Sequence, residues 1–393
     1  MLTDTVPTEP IRVKKRLSER EAGRTINSGE EKHRDMASYL VDTSVTIREA
    51  FRQSAVNRAD CVFVKNADEK VLGIVTDGDF RRAIWAGVSL EEPVSSIINR
   101  RFIYLEPRYK ISDVISRFSR TNIRQIPVLR EGRLIDLIVR DDYTRLSTQT
   151  RNHLESIPMV IMAGGKGTRL APFTHVLPKP LMPIGDKPII EHIIDKFAGF
   201  GIRTFYISIK YKQKLIRAYF EDFESDYEIR FLEEEKYLGT AGALARLAGQ
   251  ITTPFFVTNC DILINSDYYE IFEFHKQQSH DLTLVGSLQQ HIIPYGICRI
   301  RDGGALETLC EKPRYDFLAN TGLYVINPEV LSLIPQNRPF DMTDLIESLQ
   351  QAGRSVGVYP VSGESWIDVG QWEEYRKAVE QNPIVVKEGT VHV

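Results

Sequence analysis

The sequence predicts an α/β protein in which a largely parallel sheet carries helices on both faces and follows a smaller, duplicated α/β module. Three observations support this prediction. From residue 157 onward, apolar strand segments alternate with helical segments, a pattern typical of parallel sheets built from βαβ units. Residues 36–150 contain two copies of a short helix-strand-strand-helix unit. The chain has 393 residues, more than one core usually organises.

The composition excludes several classes of protein. A hydrophobic content of 42% supports sizeable cores, and a net charge of −3 gives no electrostatic reason to bind nucleic acid. The four cysteines are scattered without C-x-x-C spacing, so we expect neither a disulfide framework nor a zinc site, and we expect a cytoplasmic location. No apolar segment approaches the ~20 residues needed to span a bilayer, so we expect no membrane insertion.

The first 150 residues divide into a tail and the duplicated module. Residues 1–35 are polar and charge-rich, which predicts a disordered or flexible tail. In the module, Cys61-Val-Phe-Val and Val71-Leu-Gly-Ile-Val-Thr-Asp-Gly-Asp correspond to Gln125-Ile-Pro-Val-Leu and Leu134-Ile-Asp-Leu-Ile-Val-Arg-Asp-Asp. Because so short a unit has little core of its own, the two copies are expected to pair and to bury both sheets.

This duplicated module, residues 36–150, resembles a tandem CBS-domain pair (βαβ-type), many of which bind adenosyl nucleotides between their sheets. The first copy follows the CBS pattern G-h-h-[ST]-x-x-D, opening at Gly73. The resemblance implies that Thr76 supplies a hydroxyl beside the ligand phosphate and that Asp79 binds its ribose. The module therefore either holds a nucleotide effector or serves only to form a dimer.

The second copy departs from the CBS pattern. Asp136 replaces the glycine and Val139 replaces the Ser/Thr, although Asp142 keeps the acidic position. We therefore expect the second copy not to bind the ligand, which leaves the first copy as the candidate site. There, Arg81 and Arg82 could reach phosphates or remain solvated charges of a helix.

The second domain, residues 157–393, opens with a glycine-rich turn after a buried strand. Its glycines can take positive φ and bring backbone N–H groups close to an anion. Arg169 supplies a planar fork of donors for phosphate oxygens, and Lys179 a compact ammonium between two prolines. The spacing matches neither a P-loop nor G-x-G-x-x-G. The residues expected to hold a nucleotide here are Ala163, Gly164, Gly165, Gly167 and Thr168.

The glycine-rich segment Gly164-Gly-Lys-Gly-Thr-Arg-Leu, together with Leu177-Pro-Lys-Pro downstream, resembles the sequence of the sugar-1-phosphate nucleotidylyltransferases. These enzymes join a nucleoside triphosphate to a sugar 1-phosphate and release pyrophosphate. The resemblance covers roughly residues 157–380. It implies a Rossmann-like catalytic domain with its ligands at the carboxyl ends of the strands. Later segments add to it: Leu238-Gly-Thr-Ala-Gly-Ala-Leu, Asn259-Cys-Asp, Tyr295-Gly, Glu311-Lys-Pro, Asn320-Thr-Gly-Leu-Tyr and Trp366-Ile-Asp-Val-Gly.

Two carboxylates are candidates for a Mg²⁺ site. Phe255-Phe-Val-Thr-Asn-Cys is apolar enough for a central strand and delivers Asp261 at its end, where a magnesium ion bridging phosphates needs an oxygen ligand. The resemblance implies Asp368 as the second ligand. Taken singly, Asp261 could cap a turn and Asp368 could start a helix. The predicted catalytic residues are Arg169, Lys179, Asp261, Lys312 and Asp368.

The attacking sugar phosphate is ionised near neutrality, so this reaction needs in-line placement and charge neutralisation rather than a general base. The family's E-K-P segment implies that Glu311 binds sugar hydroxyls and Lys312 the sugar phosphate, with a surface ion pair as the alternative. Tyr295-Gly296 resembles the family's segment that lines the sugar pocket. Asn320 and Thr321 could contact sugar hydroxyls or instead satisfy local backbone groups. The predicted sugar-phosphate set is Tyr295, Gly296, Glu311, Lys312, Asn320 and Thr321.

The nucleobase is expected beside Leu238-Gly-Thr-Ala-Gly. Five residues before Gly239 stands Glu234, where thymidylyl- and uridylyl-transferring relatives commonly have glutamine. A carboxylate only accepts hydrogen bonds, and guanine offers adjacent N1–H and N2–H₂ donors, so Glu234 favours GTP. Glu233 and Glu235 are alternative candidates for this position beside the nucleobase. The nucleobase residues predicted here are Glu234, Gly239 and Thr240.

The domain pairing resembles the bacterial guanylyltransferases that make GDP-glucosamine for legionaminic-acid-type pathways, with mannose-1-phosphate guanylyltransferase as the nearest alternative. We therefore expect magnesium-dependent transfer from GTP to glucosamine 1-phosphate, and a homo-oligomer. A rival of another class is a nucleotide-sugar sensor or scaffold without turnover. Because the chain ends at Val393 soon after the last predicted helix, we expect no C-terminal β-helix.

Overall fold

The computed structural model describes residues 35–57, 60–107, 123–140, 154–221 and 225–381, together with residue 109, residues 113–114 and residues 117–118. The predicted tail, apart from residue 35, and Asp142 lie outside the described residues. The described residues before residue 152 form one compact unit and those after it form another. Among the described residues, no helix combines the length and the apolar character needed to cross a membrane.

The N-terminal unit contains a three-stranded sheet and a two-stranded sheet. In the first sheet β1 runs parallel to β2, and β2 antiparallel to β3; in the second, β4 and β5 are antiparallel. Its described strands and helices are β1 (Leu40–Asp42), α1 (Ile47–Val56), β2 (Cys61–Lys65), β3 (Val71–Thr76), α2 (Asp77–Trp85), β4 (Gln125–Arg130) and β5 (Arg133–Val139).

The two copies of the duplicated unit share one core. Phe63 and Ile74 of the first copy pack in the same buried cluster as Leu134 and Leu137 of the second. A backbone hydrogen bond of 2.8 Å from Val71 N to the Gly132 carbonyl also links them. The copies therefore pair and bury both sheets, as the short length of each unit predicts.

The C-terminal unit is organised around a seven-stranded sheet in the order β10-β9-β6-β11-β16-β13-β17. All neighbours are parallel except those of β16, which runs antiparallel to both β11 and β13. The strands of this sheet are β6 (Met159–Met162), β9 (Thr204–Ile209), β10 (Glu228–Glu233), β11 (Phe255–Asn259), β13 (Leu282–Ile292), β16 (Arg314–Ile326) and β17 (Val356–Ser362). The prediction of a mostly parallel α/β sheet is confirmed.

Helices cover both faces of this sheet because alternate strand residues point to opposite sides. Ile161 and Phe256 belong to one buried cluster, and Val160 and Val257 to another. Helix α3 begins after Pro188, whose fixed φ suits the start of a helix, and buries its isoleucines against the first cluster. The helices of this unit are α3 (Ile189–Gly199), α4 (Gln213–Glu221), α5 (Tyr268–Gln277), α6 (Met342–Gln351) and α7 (Trp372–Gln381).

Three small strand pairs complete the unit: β7 (Pro183–Ile184) with β8 (Lys187–Pro188), β12 (Ile262–Ile264) with β18 (Trp366–Asp368), and β14 (Ile297–Ile300) with β15 (Leu306–Cys310). The outer ends of β13 and β16 and the β14–β15 hairpin form an exposed arm, residues 289–318. The β12–β18 pair matters most for function, because it connects the end of the central strand β11 to a distant part of the chain.

Candidate active site

A cleft of about 340 Å³ opens at the carboxyl ends of β6 and β11. In a parallel α/β sheet this is the edge at which ligands bind. Loops after β6, β10 and β11 converge there. The lining residues are Met162, Gly164, Gly165, Gly167, Thr168, Arg169, Lys179, Glu234, Tyr237, Leu238, Gly239, Thr240, Asn259, Cys260 and Asp261.

The glycine-rich turn forms one wall of the cleft, and two of its glycines are required by close packing. Gly167 has a φ of +65°, and a Cβ there would lie 2.8 Å from Lys179 Cβ, so glycine lets Lys179 approach the loop. A Cβ on Gly164 would lie 2.5 Å from Glu234 Oε1. Arg169 is exposed and lines the cleft, whereas Ala163 is buried behind it.

Three charged side chains converge beside Gly370. Strands β12 and β18 place Ile262 opposite Asp368, and the Val369 N–H donates to the Asp261 carbonyl at 3.0 Å. Lys179 Nζ donates to Asp261 Oδ2. A Cβ on Gly370 would lie 2.6 Å from Lys179 Nζ and 2.7 Å from Asp368 Oδ1, and closer still to Asp261 Oδ2. The structure thus joins one cation and two carboxylates at a point where no side chain fits.

The oxygen donors of this cluster suit a magnesium ion. Mg²⁺ commonly binds one or two protein carboxylates and takes its remaining ligands from substrate phosphates and water. Asp261, immediately before β12, and Asp368, in the paired strand β18, supply two such carboxylates. The described residues contain no group of three or more His, Cys, Asp or Glu side chains able to hold a metal by themselves. Any ion here would therefore depend on substrate oxygens.

Cys260, which also lines the cleft, is not a nucleophile. Burial, followed by the charge of Asp261, raises the pKa of its thiol to about 12. The thiol therefore stays protonated near neutrality and packs as a small apolar group.

Glu234 is buried at the base of the cleft. Its Oε1 accepts a hydrogen bond from Ser208 Oγ, and its Oε2 accepts one from Leu238 N at 3.1 Å. Glu233 is exposed and forms an ion pair with Arg217. Of the three consecutive glutamates, Glu234 is the one that lines this cleft.

The Gly239–Thr240 segment is held by the start of helix α6. The Thr240 N–H and hydroxyl donate to Asp341 Oδ1 at 2.8 and 3.1 Å, and Thr240 Oγ1 accepts from Met342 N at 2.9 Å. A Cβ on Gly239, whose φ is +78°, would lie 2.7 Å from the Phe340 carbonyl. The polar atoms of Thr240 thus fix the loop rather than point freely into the cleft.

The predicted sugar-phosphate residues are not gathered in this cleft. Tyr295 (74% exposed) and Gly296 lie on the exposed arm, and a Cβ on Gly296 would lie 2.8 Å from Glu311 Oε2. Lys312, on the same arm, is exposed and has a φ of +46°. The arm brings these residues near one another, and their roles toward a sugar stay predictions.

Asn320 and Thr321 make local contacts. Asn320 Nδ2 donates to Tyr324 OH at 2.9 Å, and its Oδ1 accepts from Gly322 N at 3.0 Å. Thr321 is buried, and its hydroxyl donates to the Val285 carbonyl at 2.8 Å. Asn320 Oδ1 and Thr321 Oγ1 each accept from the backbone N–H two residues further on, which is the local alternative considered for this pair.

In the N-terminal unit, Thr76 and Asp79 form the capping box of helix α2. Asp79 Oδ2 accepts from Thr76 N at 2.8 Å and from its Oγ1 at 2.6 Å, while Oδ1 pairs with Arg82. Of the two alternatives given for Arg81, the solvated helix charge is wrong, because Arg81 is buried and bonded to Asp77. A Cβ on Gly73 would lie 2.5 Å from the Asn99 carbonyl, so packing alone requires that glycine.

Sequence reasoning missed four residues that shape the cleft. Ser208 holds Glu234, Asp341 holds the nucleobase loop, Gly370 leaves room for the charges, and Tyr237 lines the wall. Asp341 had a local signal, since a D-x-x-D box begins helix α6. Gly370 stands in the motif Trp366-Ile-Asp-Val-Gly but was given no role there, and Ser208 acts on Glu234, 26 residues further along the chain.

A glycine-rich loop, two cations and two carboxylates thus lie together at the strand ends of a mostly parallel α/β sheet. The sequence profile of the nucleotidyl transferase family matches residues 158–383, and that of the CBS domain matches residues 38–86 and 94–148. The chain therefore belongs to the nucleotidyl transferase family and carries two CBS domains. The predicted membership of a nucleotidyl transferase family and the predicted CBS-domain pair are both confirmed.

Curated relatives resemble the C-terminal part of this chain. Mannose-1-phosphate guanyltransferase of Yarrowia lipolytica is 34% identical over 227 residues, which is 55% of this chain and 61% of the relative. Mannose-1-phosphate guanylyltransferase 1 of Arabidopsis thaliana is 32% identical over 226 residues, 55% of this chain and 62% of the relative. The chain thus spans about three fifths of the length of these relatives.

Among solved structures, HddC from Yersinia pseudotuberculosis, complexed with GMP-PN, is similar to this chain with a TM-score of 0.46 and 24% identity. The match covers 57% of this chain and 99% of that chain.

Proposed function

We propose that this protein transfers a guanylyl group from GTP to a hexose 1-phosphate and releases pyrophosphate. The observation that carries the proposal is the convergence of Lys179, Asp261 and Asp368 at one end of a cleft whose glycine-rich wall suits a triphosphate. The matched relatives support mannose 1-phosphate over glucosamine 1-phosphate, the sugar that the sequence favoured. Glu234 in the same cleft supports GTP, since each carboxylate oxygen can accept a further hydrogen bond from guanine.

In this reaction an oxygen of the sugar phosphate attacks the α-phosphorus, the new P–O bond forms, and the bond to the pyrophosphate oxygen breaks in line. Arg169, exposed in the cleft, would bind the β- and γ-phosphates and so stabilise the leaving group. Lys179 would neutralise charge at the α-phosphate. A magnesium ion held by Asp261 and Asp368 would neutralise phosphate charge and orient both substrates.

A pyrophosphate-release assay with four nucleoside triphosphates and several sugar 1-phosphates, in the presence of Mg²⁺, tests this function. We expect the highest kcat/KM for GTP with mannose 1-phosphate. Higher activity with glucosamine 1-phosphate would restore the sugar favoured by the sequence. Silence with every pair would refute the transferase and leave the nucleotide-sugar sensor or scaffold.

For the CBS domains we propose regulation by an adenosyl nucleotide at Thr76 and Asp79, with dimer formation as the competing role. Because both side chains cap helix α2, a ligand would have to exchange these local hydrogen bonds for its own. Turnover of the full chain measured with and without AMP tests the idea, with Asp79→Asn as the matched variant. An effect of AMP in the wild type that Asp79→Asn retains would contradict this site.

A further inference from the structure

A tyrosine ring with two ammonium groups beside it lies at the wall of the cleft. Tyr237 lines the cleft and keeps 42% of its surface exposed. Lys166 Nζ, from the glycine-rich loop, lies 5.3 Å from the ring centroid, and Lys210 Nζ, from the end of β9, lies 5.7 Å from it. Neither the predicted site residues nor the chemistry proposed above uses this ring.

The backbone that carries Tyr237 is anchored on both sides. Glu234 Oε2 accepts a hydrogen bond from Leu238 N at 3.1 Å, which closes the turn that contains the tyrosine. Leu238 is buried, and the Glu235 carbonyl accepts a hydrogen bond from Lys210 Nζ. An aromatic ring on a fixed turn can bind a flat ligand with little loss of conformational entropy.

We infer that Tyr237 is the platform on which the purine base of the nucleotide stacks, and hence that it determines base specificity. The inference rests on the proposed function, which identifies the ligand of the cleft as a nucleotide. Glu234 on the same turn offers acceptors for the edge of the base, and the tyrosine offers a surface for its face. A purine presents a larger π-face than a pyrimidine, so the ring favours purines and the acceptors of Glu234 select guanine among them.

The two lysines do not block the platform. Their ammonium groups lie within the ~6 Å reach of a cation–π interaction, which contributes only about 0.5–1 kcal/mol at an exposed site. Because lysine side chains are flexible, Lys166 in the glycine-rich loop can turn toward the phosphates while the base stacks on the face of the Tyr237 ring.

Calorimetric titration of the full chain with GTP and with UTP tests the platform. Tyr237→Leu should weaken GTP binding by roughly 5- to 150-fold and UTP binding by less, whereas Tyr237→Phe, which keeps the ring, should stay within about twofold. Tyr104→Leu, a change at a tyrosine of similar exposure (47%) in the N-terminal unit, is the matched control and should leave GTP affinity unchanged.

Tyr237→Leu with GTP affinity within about twofold of the wild type would overturn the inference, as would equal losses for GTP and UTP. Circular dichroism and thermal unfolding of each variant exclude a folding defect as the cause of a loss. The pyrophosphate assay distinguishes a refuted stacking role of Tyr237 from a refuted transferase activity. A wild type that binds GTP through Tyr237 but releases no pyrophosphate refutes the transferase and leaves the platform, whereas turnover with an unchanged KM for GTP in Tyr237→Leu refutes the platform alone.

Discussion

Gly370→Ala should abolish the proposed pyrophosphate release without unfolding the protein. The added methyl would lie 2.6 Å from Lys179 Nζ and 2.7 Å from Asp368 Oδ1, where ordinary contacts begin at about 3.4 Å. Both side chains would therefore have to retreat by about 0.7 to 0.8 Å, and Asp261 Oδ2 by more. The change thus displaces the three charged groups at once while keeping all of them in the chain.

A misplacement of about 1 Å in a reacting group can cost on the order of 100-fold in rate. We therefore expect kcat/KM for pyrophosphate release to fall by at least about 100-fold, equivalent to about 2.7 kcal/mol of transition-state stabilisation. The displaced atoms lie at the ends of side chains lining a cleft, so the melting temperature should change by less than about 4 °C. GTP affinity measured by calorimetry should fall much less than kcat/KM, because the glycine-rich loop and Glu234 are untouched.

Gly199→Ala provides the matched control. Gly199 is the last residue of helix α3, and a Cβ there meets no heavy atom within 4 Å. The same chemical change should therefore leave activity at the wild-type level and raise stability slightly. If Gly370→Ala keeps more than about one third of the wild-type kcat/KM, the three charged groups do not act at the point where the structure joins them.

The remaining predictions concern single side chains. Asp261→Asn should reduce kcat by at least about 100-fold with an unchanged thermal transition; near-normal turnover would remove Asp261 from the site. Glu234→Gln should lower the ratio of kcat/KM for GTP to that for UTP, and an unchanged ratio would refute its role with the base. Thr76→Val should lower the free energy of unfolding by about 1 kcal/mol through loss of the helix cap, as denaturant titration would measure. Burial lowers the pKa of His275 below its usual 6.5, so the unfolded chain gains the proton first as pH falls. The free energy of unfolding should therefore decline by up to about 1.4 kcal/mol per pH unit from pH 6.5 down to the folded pKa, and His275→Asn should lack this component.

The features of the fold that arise from local patterns were predictable. Apolar runs identify β6 and β9, and the proline before a helical repeat identifies the start of α3. The antiparallel direction of β16 was not predictable, because it follows from the way the arm returns the chain to the sheet. Strand direction depends on connection length and on pairing partners, and neither can be read from one segment.

The same distinction applies to the site. The glycine-rich turn could be recognised because positive φ and bare backbone N–H groups are local properties. The roles of Asp341 and Gly370 could not, since Asp341 holds Thr240, about 100 residues away, and Gly370 makes room for Lys179 and Asp261, which are farther still along the chain. Burial likewise distinguishes Glu234, which the sequence favoured by its spacing to Gly239, from its exposed acidic neighbours Glu233 and Glu235.

If Glu234 contacts the base as proposed, its hydrogen bonds would let one side chain change base preference without changing the fold. Leu238 N–H must meet an acceptor, whereas Ser208 Oγ can either donate or accept. A glutamine here would therefore turn its Oε1 to Leu238 and donate one amide hydrogen to Ser208, and the turn would stay closed. The second amide hydrogen would then face the cleft in place of an acceptor. Glutamate offers acceptors alone, which match the adjacent N–H groups of guanine, whereas glutamine offers a donor and an acceptor together, so the same turn can serve either class of base.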